Sequence, residues 1–123
     1  MNKYLIICLM FFFTACDGNE KKVPENIIPI SEMKLMLWDI MKADEYYNRL
    51  VANDTINRYQ YENLRLYDQV FRAYNTTKQQ FYSSYKYYAA HPDAFKVLID
   101  SVDAVSRRQR DLLNKSTATP QPQ

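Results

Sequence analysis

Glycine, histidine and cysteine are almost missing from this chain of 123 residues. Its single glycine is Gly18, so phosphate-cradling loops and dinucleotide-binding turns, which need glycine for close backbone approach, are excluded. Its single histidine is His91 and its cysteines are Cys8 and Cys16. The usual His and Cys arrangements for zinc are therefore absent, only carboxylates remain as possible metal ligands, and no metal site or cofactor is expected. A dominant charge is also lacking: 16 Lys and Arg face 14 Asp and Glu, a formal balance of +2. Phosphate binding requires a clear basic excess, so nucleic acid is not expected as a partner. The one apolar run, YLIICLMFFF at residues 4–13, is half the roughly 20 residues needed to span a bilayer as a helix.

That run follows Lys3 and ends in Phe13-Thr14-Ala15-Cys16. A positive start, a short apolar stretch and small residues before a cut are the parts of an export signal. The ending resembles the lipobox of bacterial lipoproteins, with Phe13 standing where an aliphatic residue is usual. Residues 1–15 thus read as a leader removed after Ala15, and Cys16 as a first residue carrying covalent lipid. Cys8 leaves with the leader and the Cys16 sulfur is acylated, so no disulfide or redox pair is expected. One acyl chain holds a protein weakly, at about 0.8 kcal/mol per buried methylene, whereas several chains make release negligible. Membrane lipid is the expected first partner. Asp17 begins a polar tether, and Asp at that place is read differently by different bacterial sorting systems.

Residues 24–30 (PENIIPI) hold two prolines and three isoleucines, which predicts an extended segment pinned by its isoleucines. Ser31 is the expected cap of a first helix, on which Met33, Leu37, Ile40, Met41, Tyr47, Leu50 and Val51 recur at helical spacing until Asn53-Asp54. Leu64, Tyr67, Phe71 and Tyr74 predict a second helix over residues 57–74. Thr77-Lys78-Gln79-Gln80 fits a capping box, opening a third helix with Phe81, Ser84, Tyr85 and Tyr88 inward and an end at His91, before Pro92. Pro92 suits the first turn of a fourth helix, with Phe95, Leu98, Ile99, Val102 and Val105 inward and Leu112 and Leu113 closing the stripe. No sustained two-residue alternation predicts a strand. The expectation is an all-α protein, a small bundle of about four helices behind a lipidated flexible N-terminal tether. Its parts are a leader at 1–15, a tether and lead-in at 16–30, a helical domain at 31–115 and a disordered tail at 116–123.

Few residues suggest chemistry. Asp44 is the carboxylate nearest the first stripe and is expected to bond a tyrosine hydroxyl or an arginine rather than to act as an acid. His91, between a helix end and Pro92, suits capping of carbonyls, because cations favour helix C-termini. The serines sit within helices, with no nucleophile elbow near them, so no catalytic residue is assigned and an enzyme is not expected. Tyrosine is the surplus: 11 residues, all but Tyr4 outside the leader. Neighbours on a helix point about 100° apart, so one of each adjacent pair must approach the surface, where tyrosine makes rigid contacts with a polar tip. Tyr46, Tyr82, Tyr87, Tyr88 and His91 form the candidate binding surface.

Pro24, Ile27, Ile28 and Pro29, then Met33, Trp38-Asp39-Ile40-Met41 and Ala43-Asp44, then Val70-Phe71 and Tyr74, and then Phe81, Ser84 and Tyr87-Tyr88-Ala89-Ala90-His91-Pro92 up to Val102 together resemble the small bacterial lipoproteins grouped as domain of unknown function 4296. Asn75-Thr76-Thr77 stands where that family often has glycine. The resemblance implies a helical fold and a place in the cell envelope, with the outer membrane favoured, but no assigned activity. The stretch from Tyr74 to Tyr88 is also similar to helical parts of periplasmic folding chaperones of the SurA type. The expected role is a membrane-anchored, non-enzymatic module that binds an envelope protein, as an accessory subunit or chaperone-like factor. A glycan-binding lipoprotein using exposed tyrosines is the alternative, and the oligomeric state stays open.

Overall fold

The structure, a computed structural model, describes residues 23–52 and 59–117. Ala15, Cys16, the Asn53-Asp54 break, the helix start expected at Asn57 and residues 118–123 lie outside them. The described residues form four helices, α1 (Ile30–Val51), α2 (Glu62–Ala73), α3 (Lys78–Ala89) and α4 (Pro92–Thr117), which is the expected all-α bundle.

Helix α1 opens one residue before Ser31. Pro29 is its N-cap, at φ −64° and ψ 155° with no side-chain cap, and the Pro29 carbonyl accepts from the amides of Glu32 (3.0 Å) and Met33 (2.8 Å). The proline ring presets the N-cap φ and loses no needed donor there, which leaves Ser31 in the first turn. Helix α2 starts at Glu62 because Tyr61 takes a left-handed φ of 73°, which ends any helical run from upstream. Its far end closes through Asn75, at φ 50°. The amides of Asn75 and Thr76 reach back to the carbonyls of Arg72 (3.1 Å) and Phe71 (2.9 Å), a Schellman arrangement in which asparagine substitutes for glycine. Half of the expected capping box forms: the Thr77 hydroxyl accepts from the Gln80 amide at 3.1 Å. The Gln80 side chain turns instead to the Thr76 hydroxyl, 2.9 Å away. Helix α3 ends at Ala89, His91 makes the turn, and Pro92 opens α4. Ser116 and Thr117, expected in the tail, finish α4, their hydroxyls bonded to the Leu113 carbonyl.

Two bonds orient α1 and α2. Asp39 accepts from the Tyr74 hydroxyl (2.7 Å) and Asp44 from the Tyr67 hydroxyl, so the helices run antiparallel. Tyr67 and Tyr74, seven residues apart, share a face of α2. Asp39 and Asp44 stand about 140° apart on α1 and bracket the strip of Met36, Ile40, Ala43 and Tyr47 that α2 covers. The same helix also packs on α4, where Trp38 Nε1 donates to Gln109 Oε1 at 2.7 Å. Contact on two sides explains why Met36 and Ala43 are buried although they fall outside the expected stripe; Met41, expected within it, is 48 % exposed. Leu64, Tyr85, Ile99, Leu112 and Leu113, all expected inward, are exposed as well.

The core joins Ile27, Ile28, Met33, Met36, Phe71, Phe81, Tyr88, Leu98 and Val102. Phe71 and Phe81 meet at 5.5 Å between ring centres, tying α2 to α3. The lead-in is less extended than expected: the Ile27 amide donates to the Pro24 carbonyl at 2.9 Å, making a tight turn. Its pinning is firmer than isoleucine side chains alone would give. The Ile28 amide donates to Ser84 Oγ (2.9 Å), and the Tyr88 hydroxyl donates to the Ile28 carbonyl (2.8 Å). The Ser84 hydroxyl itself donates to the Gln80 carbonyl, 2.8 Å away. Ser84 and Tyr88 are both wholly buried, and one turn of α3 thus satisfies both polar groups of Ile28.

A buried donor or acceptor left without its partner costs about 1–3 kcal/mol. Tyr88→Phe and Ser84→Ala are each expected to lower unfolding free energy by about that amount. The double variant is expected to lose less than the sum, since both side chains hold one residue. Urea denaturation measures this, and losses too small to resolve would contradict the clamp.

Candidate functional site

An open groove of about 840 Å³ carries sequence-predicted site residues where the lead-in, the start of α1 and the α3–α4 turn meet. Val23 and Pro29 wall one side, Ile30, Ser31 and Lys34 come from α1, and Tyr87 and Ala90 from the end of α3. His91, Pro92, Asp93, Ala94, Val97 and Ser101 complete it. These residues converge because two helices begin and one ends at the same level, held there by the clamp on Ile28.

Tyr87 and Tyr88 divide their work as adjacent helical residues must. Tyr88 is buried and bonded to Ile28, so its place on the expected binding surface is overturned: its neighbour in helical phase is the core. Tyr87 is half-buried in the groove. His91 lies over it with ring centres 4.2 Å apart and a tilt of 32°. The imidazole Nδ1–H donates to the Tyr87 carbonyl at 2.6 Å, which is the expected cap of the α3 C-terminus. Tyr82 is exposed on the opposite side of α3, about 140° from Tyr87, with Lys78 Nζ 5.9 Å from its ring centre. Tyr46 is 53 % exposed near the far end of α1. The five residues thus form no single surface; Tyr87 and His91 alone share the groove.

Chemically the groove is an apolar floor with polar edges. The Ser101 hydroxyl donates to the Val97 carbonyl of its own helix (2.7 Å), and Lys34 and Asp93 place opposite charges at the rim. Val97, 53 % exposed, and Lys34 were not legible as site residues, because only the meeting of separate helix ends brings them together. Among the described residues no group of three or more His, Cys, Asp or Glu could hold a metal ion. No helix among them is long and apolar enough to cross a membrane.

Asp44 does bond a tyrosine hydroxyl, as expected, and Asp39 does the same by a pairing the sequence did not announce. The hydroxyls of Tyr67 and Tyr74 are each pushed up to about 12, first by burial and then by donation to these carboxylates. The carboxylates are thereby spent on joining two helices.

Residues 24–111 match the family described as Domain of unknown function (DUF4296). The chain belongs to that family. No curated protein and no solved structure matches it. The DUF4296 match spans the lead-in turn, all of α1, α2 and α3, and α4 as far as Asp111, so the groove lies wholly within the family's domain except for its edge at Val23.

The two raised hydroxyls set a pH dependence. Unfolded tyrosine loses its proton near 10, whereas Tyr67 and Tyr74 keep theirs to about 12 in the fold. Their stabilising contribution is whole below pH 10 and is lost as pH rises towards 12, because only the unfolded chain ionises there. Melts across that range are expected to show this fall, with a smaller one in Tyr67→Phe and Tyr74→Phe; an unchanged fall would contradict the pairing.

Proposed function

We propose that this protein is a lipid-anchored, non-enzymatic adaptor of the bacterial cell envelope, which presents its groove to another protein. The observation that carries the reading is the groove itself. It gathers Ile30, Tyr87, Ala94 and Val97 into an apolar floor edged by Lys34 and Asp93, the mixture of apolar centre and polar rim that suits protein contact. The Ser101 hydroxyl and the His91 imidazole at the site are engaged with backbone carbonyls, which favours recognition over proton transfer. The anchor rests on Phe13-Thr14-Ala15-Cys16 and the apolar run before it. Val23, at the edge of the groove, follows Cys16 by seven residues, and an extended chain of that length reaches at most about 25 Å. Acyl chains on Cys16 would hold the groove close to a membrane surface, with the outer membrane the favoured one. Sugar recognition has less support, since a sugar ring needs an open aromatic face and His91 lies over Tyr87.

Two measurements in the producing cell test this. Cys16→Ala is expected to abolish incorporation of labelled fatty acid and release the protein from membranes; unchanged incorporation would refute the anchor. A photo-crosslinking residue at Val97 is expected to give a discrete adduct with one envelope protein, and the same residue at Arg72, on another face, is not. Equal adducts from both positions, or none from Val97, would refute the groove.

A further inference from the structure

Beyond Gln109, helix α4 carries a second surface that neither the fold nor the groove uses. Leu98, Val102, Val105, Gln109, Leu112 and Ser116 follow one another by steps of four, three, four, three and four, the spacing of a coiled-coil seam. Its first half is filled from within: Leu98 and Val102 are buried and Val105 is half-buried. At Gln109 the seam makes its hydrogen bond with Trp38 of α1. Beyond it the stripe continues in phase but uncovered, with every residue of 107–117 exposed, Leu112 to 59 % and Leu113 to 65 %. Leu112 and Leu113 also lie just past residues 24–111, where the family match ends.

Charge selects the occupant. Arg107, Arg108, Arg110 and Lys115 surround the two leucines, against Asp111 alone within 107–117, while Arg107 pairs with Asp103 at 2.6 Å. Along the seam Arg108 and Lys115 occupy the flanking g positions, and Ser106 and Leu113 the e positions. A second copy of the chain would therefore set cations against cations in an antiparallel pairing, or against uncharged residues in a parallel one. A lipid surface fits poorly too, because membrane-lying helices need a broad apolar face, whereas this stripe is narrow and interrupted by Gln109 and Ser116.

We propose that the outer half of α4 receives an acidic amphipathic helix of a partner protein, which extends the seam begun in the core. The proposal shares with the adaptor reading only the premise of a protein partner, and its surface is separate from the groove. The purified protein in mild detergent is titrated with two labelled designed helices, each with leucine at a and d, one with glutamate and one with lysine at e and g. Fluorescence anisotropy is expected to show saturable binding of the glutamate helix and binding of the lysine helix weaker by about tenfold or more. Arg108→Glu with Lys115→Glu is expected to reverse that order, and Leu112→Ser with Leu113→Ser to abolish both, with circular dichroism unchanged because all four side chains are exposed. Val97→Glu, which damages the groove, is expected to leave this binding intact, so failure here and failure of the adaptor reading are told apart. Equal binding of both helices or none of the glutamate helix would overturn the proposal. So would a dimer that Leu112→Ser dissolves, or binding to anionic phospholipid vesicles lost in the same variant.

Discussion

The fold hangs on the backbone of one residue that belongs to no regular element. Ile28 is buried in a stretch with no ladder or helix to satisfy it, so its amide and carbonyl must find side chains or cost the stability of the core they enter. Ser84 and Tyr88, four residues apart and so stacked on one face of α3, supply one acceptor and one donor. The serine does this only because its own hydroxyl donates to Gln80, which turns a lone pair towards the Ile28 amide. With Ile28 fixed, Ile27 enters the core, Pro29 lies where it caps α1, and the wall of the groove is set. The clamp is thus a folding device whose product is a surface.

The same economy recurs between α1 and α2. Asp39 and Asp44 would be poor neighbours for an apolar strip, yet each meets a tyrosine hydroxyl from the opposing helix, so the strip between them is edged by satisfied polar groups. What remains free for function is what the core does not use: the shallow groove at one end, and the outer half of α4, which leaves the bundle after Gln109. These lie towards opposite ends of a helix that spans about 39 Å. The groove and the basic seam are thus far enough apart to engage different partners at once.

Much of this was legible in the residues, and what was not has a physical cause. The start of α4 at Pro92, the Thr77 cap and the Asn75 turn follow from local chemistry, and all three appear. The burial of Leu98 and Val102 follows from periodicity. Periodicity misjudged α1, where Met36 and Ala43 are buried, because a helix packed on two neighbours buries a wider arc than one stripe reveals. It misjudged Leu112 and Leu113 for the opposite reason: the stripe persists after its cover stops, and no local pattern records where a neighbouring helix diverges. Tyr88 was expected inward by its spacing from Phe81 and Ser84 and also on the binding surface with Tyr87, and the position of the lead-in decides for the inward place. The groove's Lys34 and Val97 come together through tertiary packing alone.

Native-state hydrogen exchange at the Ile28 amide tests the clamp most directly. If Ser84 holds that amide in the core, it exchanges as slowly as the central amides of α3 and α4, although it lies outside every helix. Exchange as fast as at the exposed neighbours Glu25 and Asn26 would contradict the account.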